Sequence, residues 1–205
     1  MFIRNVVLSA VFAILMATSN TAIASDQDAA RFIHRLANQS IEMWRAPGLT
    51  PNERKDQFRG LLIRGFDIPF IGRFVLGRYW RGATPGQRTD YIALYSEFFL
   101  QAYASRLADY AGQALEVTGA RQVNARDFVV RSLIQRPGGQ LIIADWRVRE
   151  SDGRYRVIDI MVEGISLAIT QRSEFASVAQ RGGLEGLISI LRDRTGSISK
   201  TATLD

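Results

Sequence analysis

Leu141-Ile142-Ile143-Ala144-Asp145-Trp146-Arg147-Val148, then Ser151-Asp152-Gly153, then Val157-Ile158-Asp159-Ile160-Met161-Val162: the reading of this run decides the fold. Ile142, Ala144, Trp146 and Val148 recur at every second position, which places them on one face of a strand. Ser151-Asp152-Gly153 is turn chemistry, and beyond it Ile158, Ile160 and Val162 resume the same period. Strands joined by so short a connection run antiparallel. Working upstream, Phe128, Val130 and Ile134 alternate in a strand ended by Pro137-Gly138-Gly139, and Leu115 and Val117 mark another before it. The reading is an antiparallel sheet of about four strands, with no internal repeat and no linker that would divide the domain.

Helical periodicity lies on both sides of the sheet. Ala30, Ile33, Ala37, Ile41 and Trp44 form an apolar stripe in a helix from Asp26 to Arg45, ended by Pro47-Gly48. Thr50-Pro51 followed by Glu53 is an N-cap with proline in the first turn, and the helix it opens buries Phe58, Leu61 and Leu62. The segment from Phe66 to Gly77 is far more apolar, with Asp67 as cap and Gly77 as stop. Thr84-Pro85 starts a long helix whose Tyr91, Ile92, Leu94, Tyr95, Phe98, Phe99, Leu100, Tyr103, Leu107 and Tyr110 cover most of its circumference. Such a helix must be buried on several sides, and one face of the sheet is a surface it could cover. Helical spacing returns from Ser166, breaks at Gly182-Gly183 and resumes through Leu184, Leu187, Ile188 and Leu191. Helices first, sheet next and helices last make an α+β domain.

The N-terminus points to export. Arg4 precedes the apolar run from Val6 to Ala17, which is shorter than the about 20 residues that span a bilayer. Ala22-Ile23-Ala24 follows as a small-residue cleavage site, so residues 1–24 read as a signal peptide, 25–194 as one domain and 195–205 as a flexible tail. The chain has no cysteine, so neither disulfides nor thiolate metal sites are open to it. The net charge of +6 comes almost wholly from arginine, with Lys55 and Lys200 the only lysines. Arginine suits anionic headgroups or an acidic protein; export argues against nucleic acid.

Catalytic constellations are thin. His34, the single histidine, stands beside Arg31 and Arg35 on a charged helix face and reads as a surface residue. The serines lack a nucleophile elbow, and Asp145 and Asp159 read as outward carboxylates paired to Arg147 or Arg156. An Asp general base in an apolar pocket keeps an isomerase-like enzyme open. Against it stands a surplus of large apolar residues, which builds either a packed core or a pocket for an apolar ligand.

Gly77-Arg78-Tyr79-Trp80-Arg81-Gly82-Ala83-Thr84-Pro85-Gly86-Gln87-Arg88 with Tyr91 and Phe98, and Tyr155-Arg156-Val157-Ile158-Asp159-Ile160-Met161-Val162-Glu163-Gly164-Ile165-Ser166-Leu167, resemble the MlaC family, also called toluene-tolerance auxiliary proteins. Gln171-Arg172-Ser173-Glu174-Phe175 and Gly183-Leu184-Glu185-Gly186-Leu187-Ile188 extend the likeness, and a hopanoid-linked relative is equally similar. The resemblance implies a nuclear-transport-factor-like fold, a curved antiparallel sheet with helices enclosing an apolar lipid cavity. It implies a monomeric periplasmic carrier of glycerophospholipid, without cofactor, metal or catalysis. The implied partners are an outer-membrane lipoprotein complex and an inner-membrane ABC transporter with a substrate-binding ring protein. An exported chaperone or an isomerase-like enzyme with an apolar cleft is the alternative.

The expected lipid-binding set is Phe66, Ile68, Phe70, Phe74, Tyr95, Phe98, Phe99, Tyr103, Val130, Trp146, Ile160, Val162 and Ile165, which lie on segments whose apolar faces should meet. Arg81, Arg88 and Glu163 flank the matched motifs and are expected to ring the mouth, docking to partners or meeting the headgroup. A solvated surface or a local salt bridge would serve them equally. Asp159 is expected to partner an arginine structurally.

Overall fold

A computed structural model describes residues 25–108, 115–135 and 139–201. The expected signal segment, Tyr110 and the Pro137-Gly138 turn lie outside the described residues. Helices α1 (Asp26–Arg45), α2 (Pro51–Gly65), α3 (Ile68–Leu76), α4 (Tyr79–Gly82) and α5 (Pro85–Ala108) come first. Strands β1 (Leu115–Gln122), β2 (Asp127–Gln135), β3 (Leu141–Ser151), β4 (Arg154–Val162) and β5 (Ile165–Ser166) follow, then helix α6 (Leu167–Thr201). The fold is α+β, and the five strands form one antiparallel sheet in chain order.

Local chemistry accounts for the helix boundaries. The Thr50 side chain accepts from the Glu53 amide at 3.2 Å while the Glu53 carboxylate accepts from the Thr50 amide at 2.8 Å, a capping box that starts α2. Thr84 and Gln87 repeat the device at α5, with bonds of 3.2 and 2.8 Å. Asp67 accepts from the Phe70 amide at 3.2 Å to open α3, and Gly77, at φ 58°, closes it. Helix α6 breaks at Gly183, where φ is 67°. It continues past Arg194 through Thr195, which is buried and donates to the Leu191 carbonyl at 2.9 Å, so the boundary expected at 194 falls inside a helix.

The sheet departs from strict alternation at two bulges, and these bend it. One lies between Val117 and Gly119 on β1, the other on β4 beside the Arg147 to Val148 step. Ile158 is the extra residue at the second. Val157, rather than Ile158, therefore stands opposite Val148, and the inward face continues with Ile160 opposite Trp146 and Val162 opposite Ala144. Four cross-strand rows result: Leu115-Ile134-Ile142; Val117-Ser132-Ala144-Val162; Ala120-Val130-Trp146-Ile160; and Gln122-Phe128-Val148-Val157.

The helices pack on this inner face in an arrangement that differs from the one expected. Helix α1 lies along β1 and β2, while α5 packs against α2, α3 and α6. The all-round apolar α5 is thus a helix among helices, not the cover of the sheet. Its Tyr91 hydroxyl donates to the Gly72 carbonyl at 3.0 Å and its Tyr95 hydroxyl to Gln171 Oε1 at 2.6 Å, pinning α5 to α3 and α6. Burial pushes both phenols above their ordinary range, so they remain neutral donors. Arg54 on α2 donates to the carbonyls of Met43 at 2.6 Å and Trp44 at 2.7 Å, which ties α2 to the end of α1.

Candidate functional site

Between α1, α2 and the inner sheet face lies a cavity of about 340 Å³. Helix α1 contributes Ile33, Leu36, Ala37, Ser40 and Ile41; α2 contributes Phe58, Leu61 and Leu62; Phe66, Tyr103 and Leu167 close the side. The sheet supplies Leu115, Ile134, Ile142, Ala144, Trp146, Ile160 and Val162. Among the described residues no lining side chain is charged, and Ser40, Tyr103 and the Trp146 indole carry its polar side-chain atoms. Three of the lining residues, Ala37, Ser40 and Ala144, have small side chains.

The indole is fixed. Trp146 Nε1 donates to Ser132 Oγ at 2.9 Å, and Ser132 Oγ donates to the Ala144 carbonyl at 3.2 Å, so both buried polar groups are satisfied. Beside the main cavity a void of about 20 Å³ lies among Phe66, Ile71, Phe99, Tyr103, Asp159, Ile160, Leu167, Ala168 and Gln171. Asp159 does not pair with an arginine there. Its carboxylate accepts from Ser166 Oγ at 2.6 Å and from the Ala168 amide at 3.1 Å, capping α6.

Of the residues expected to line a pocket, Phe66, Tyr103, Trp146, Ile160 and Val162 are brought together at the cavity. Phe99 sits in the adjoining void, its ring 4.5 Å from that of Tyr103. Ile68, Tyr95 and Val130 are packed core away from the cavity wall. Phe98 packs on Phe175 with ring centroids 5.8 Å apart. Phe70 lies under the Arg149 guanidinium at 4.4 Å and Phe74 under Arg172 at 5.1 Å, because α3 turns Ile68, Ile71, Gly72, Val75 and Leu76 inward instead. Ile165 is directly opposite Val162 and so stands on the same face, but at the sheet edge it is 64 % exposed.

The expected docking residues divide. Arg81 is exposed. Arg88 donates from Nε to the Trp80 carbonyl at 3.1 Å and from Nη2 to the Arg81 carbonyl at 3.3 Å, with its guanidinium 5.3 Å from the Trp80 ring centroid. It braces the end of α4. Glu163 and Gly164, at φ 50° and 79°, are the two central residues of the β4–β5 hairpin. That pattern is a primed turn.

The outer sheet face carries ion pairs of its own. Asp145 takes Arg131 in a bidentate pair at 2.7 and 2.8 Å, and Asp127 takes Arg149 at 2.6 and 2.9 Å and Arg147 at 3.2 Å. Asp145 therefore pairs with Arg131, not with Arg147 or Arg156. The arginine bonds hold both carboxyls below their ordinary range, which makes them poor bases. His34 is exposed, its Nδ1 3.3 Å from Asn38 Nδ2.

Sequence reasoning missed the α1 and α2 wall, although it saw the Ile33-Ala37-Ile41 stripe and the Phe58-Leu61-Leu62 face as buried surfaces. The usable signal was the smallness of Ala37 on that stripe and of Ser40 beside Ile41, since small side chains fill less of the space between layers.

A family profile described as MlaC protein matches residues 21–193. The chain is 24 % identical over 143 residues to the intermembrane phospholipid transport system binding protein MlaC of Haemophilus influenzae, covering 68 % of this chain and 67 % of that one. It is 24 % identical over 134 residues to the toluene tolerance protein ttg2D of Pseudomonas putida, covering 65 % of this chain and 62 % of that protein. A solved phospholipid-binding protein from Ralstonia solanacearum, in complex with a phospholipid, shares the fold with a TM-score of 0.72 at 24 % identity. That match covers 85 % of this chain and 99 % of the other.

Proposed function

This chain belongs to the MlaC family, and on that premise we propose that it is a carrier that encloses phospholipid acyl chains in the cavity between α1, α2 and the sheet. The observation that carries the reading is an uncharged apolar space of about 340 Å³. The space is open to solvent rather than sealed, and each methylene that leaves water for its apolar wall contributes about 0.8 kcal/mol. Among the described residues the wall has no charged group to meet a phosphate, so the headgroup stays at the mouth.

Phe66, Tyr103, Trp146, Ile160 and Val162 are the residues of the expected set assigned to the acyl chains, joined by the α1 and α2 residues. Residues 1–24 act as an export signal, and the mature protein is a periplasmic monomer that exchanges lipid with an outer-membrane lipoprotein complex and an inner-membrane ABC transporter. Arg81 is the docking residue retained. Among the described residues no helix is long and apolar enough to cross a membrane.

The test is mild purification from the native host followed by lipid mass spectrometry. Stoichiometric diacyl phospholipid is expected, and Val162→Glu, which puts a charge on the wall of a half-buried site, should lose it while staying folded. Wild-type protein without bound lipid would overturn the reading.

A further inference from the structure

We propose that Trp146 is the end stop that sets how long an acyl chain this cavity accepts, an inference that rests on the carrier reading above. The cavity wall stops short of fully buried residues both on the sheet and on α1. On the sheet it includes Trp146 and Ile160, but not the next inward row, where Phe128, Val148 and Val157 are fully buried and packed solid. On α1 it includes Ile33 but not Ala29, one turn earlier and also fully buried. A chain entering from the far end of the strands must therefore stop at this row.

Within the row Trp146 is the large side chain. Its indole leans from its own row to the neighbouring one, where Ser132 holds Nε1 at 2.9 Å. Ser132 is itself fully buried and gives its proton to the Ala144 carbonyl, so its oxygen is oriented to accept. A ring held in this way cannot swing aside for a longer chain as a free side chain would. Successive rows on one strand face are about 6.8 Å apart, so removing the indole opens length for about five methylenes at about 1.3 Å each.

The experiment titrates full-length mature protein with saturated lysophosphatidylglycerols lengthened two carbons at a time. Wild-type affinity should rise about fourfold per added methylene and then level off at a limiting length. In Trp146→Ala the limit should move about four to six carbons longer, and in Trp146→Phe, which keeps an aromatic filler should the alanine variant not fold, by about two. An unmoved limit in the folded variants, with wild-type binding intact, overturns the end stop alone. Absence of wild-type binding at every length overturns the carrier reading and this inference together.

A second readout leaves Trp146 in place. In a Trp44→Phe, Trp80→Phe background, a spin label on the terminal carbon of the chain should quench the remaining indole more strongly than one near the carboxyl end. Stronger quenching by the carboxyl-end label overturns the proposal.

Discussion

Glu163 and Ile143 exchange two hydrogen bonds across the edge of the sheet: the Glu163 amide donates to the Ile143 carbonyl at 3.0 Å, and the Ile143 amide donates to Glu163 Oε1 at 2.7 Å. A side-chain oxygen thus continues the β3–β4 ladder at the point where β4 turns into its hairpin. A residue that sequence context assigned to docking is occupied in holding the turn.

Glu163→Ala should therefore lower stability by about 1 kcal/mol, the net worth of one such bond. Glu163→Gln keeps an acceptor oxygen and should unfold near the wild-type midpoint. Gly164→Val, which forces a branched side chain to φ 79°, should cost about 1–2 kcal/mol. Denaturant unfolding of the three variants checks the order.

Asp127 should make the fold acid-sensitive. Its side chain is 1 % exposed, and the bonds from Arg149 lower its pKa from 3.8 to about 2. A depressed carboxyl stabilises above its unfolded pKa, and the contribution is lost as pH falls from about 4 through about 2, amounting to about 2 kcal/mol. Urea midpoints over that range should fall in the wild type. In Asp127→Asn the fall should be smaller, from a lower neutral-pH starting point.

Gly72 is a close approach between α3 and α5. A Cβ there would lie 2.6 Å from Tyr95 Cδ1, so Gly72→Ala should cost about 1–3 kcal/mol by overpacking. Tyr91→Phe, which removes the hydroxyl from the Gly72 carbonyl, should cost about 1 kcal/mol. Thermal unfolding of each variant reads both effects.

Arg88 and Arg81 should respond differently to loss or reversal of charge. Arg88→Ala loses two carbonyl contacts and the Trp80 stacking, and its melting temperature should fall. Arg81→Glu should melt like the wild type and change only lipid transfer to a partner and the salt dependence of that transfer. Equal melting of both variants would contradict the assignment.

Local signals were legible in the chain. Thr50-Pro51-Glu53, Asp67 with Gly77, and Thr84-Pro85-Gln87 satisfy their own backbone groups within one turn, so the helix ends follow from neighbours in sequence. The two-residue period of β2 and β3 likewise placed Val130 and Trp146 on the apolar faces of their strands, since alternation is a property of each strand alone, whereas the register set them opposite one another. Glu163-Gly164 was quoted as motif, but its primed turn depends on φ values that the residue types allow without demanding.

Tertiary packing decided the rest. A bulge at Ile158 moved Val157 into the inward row, and no residue-level period announces one extra residue in a ladder. Which faces meet was also undetermined: Phe70 and Phe74 are as apolar as Phe66, yet α3 turned them toward arginines, and α1 rather than α5 came to lie along the sheet. The cavity is a property of that meeting. Sequence states which side chains avoid water, but whether they fill the space between layers depends on where the helices come to lie on the sheet.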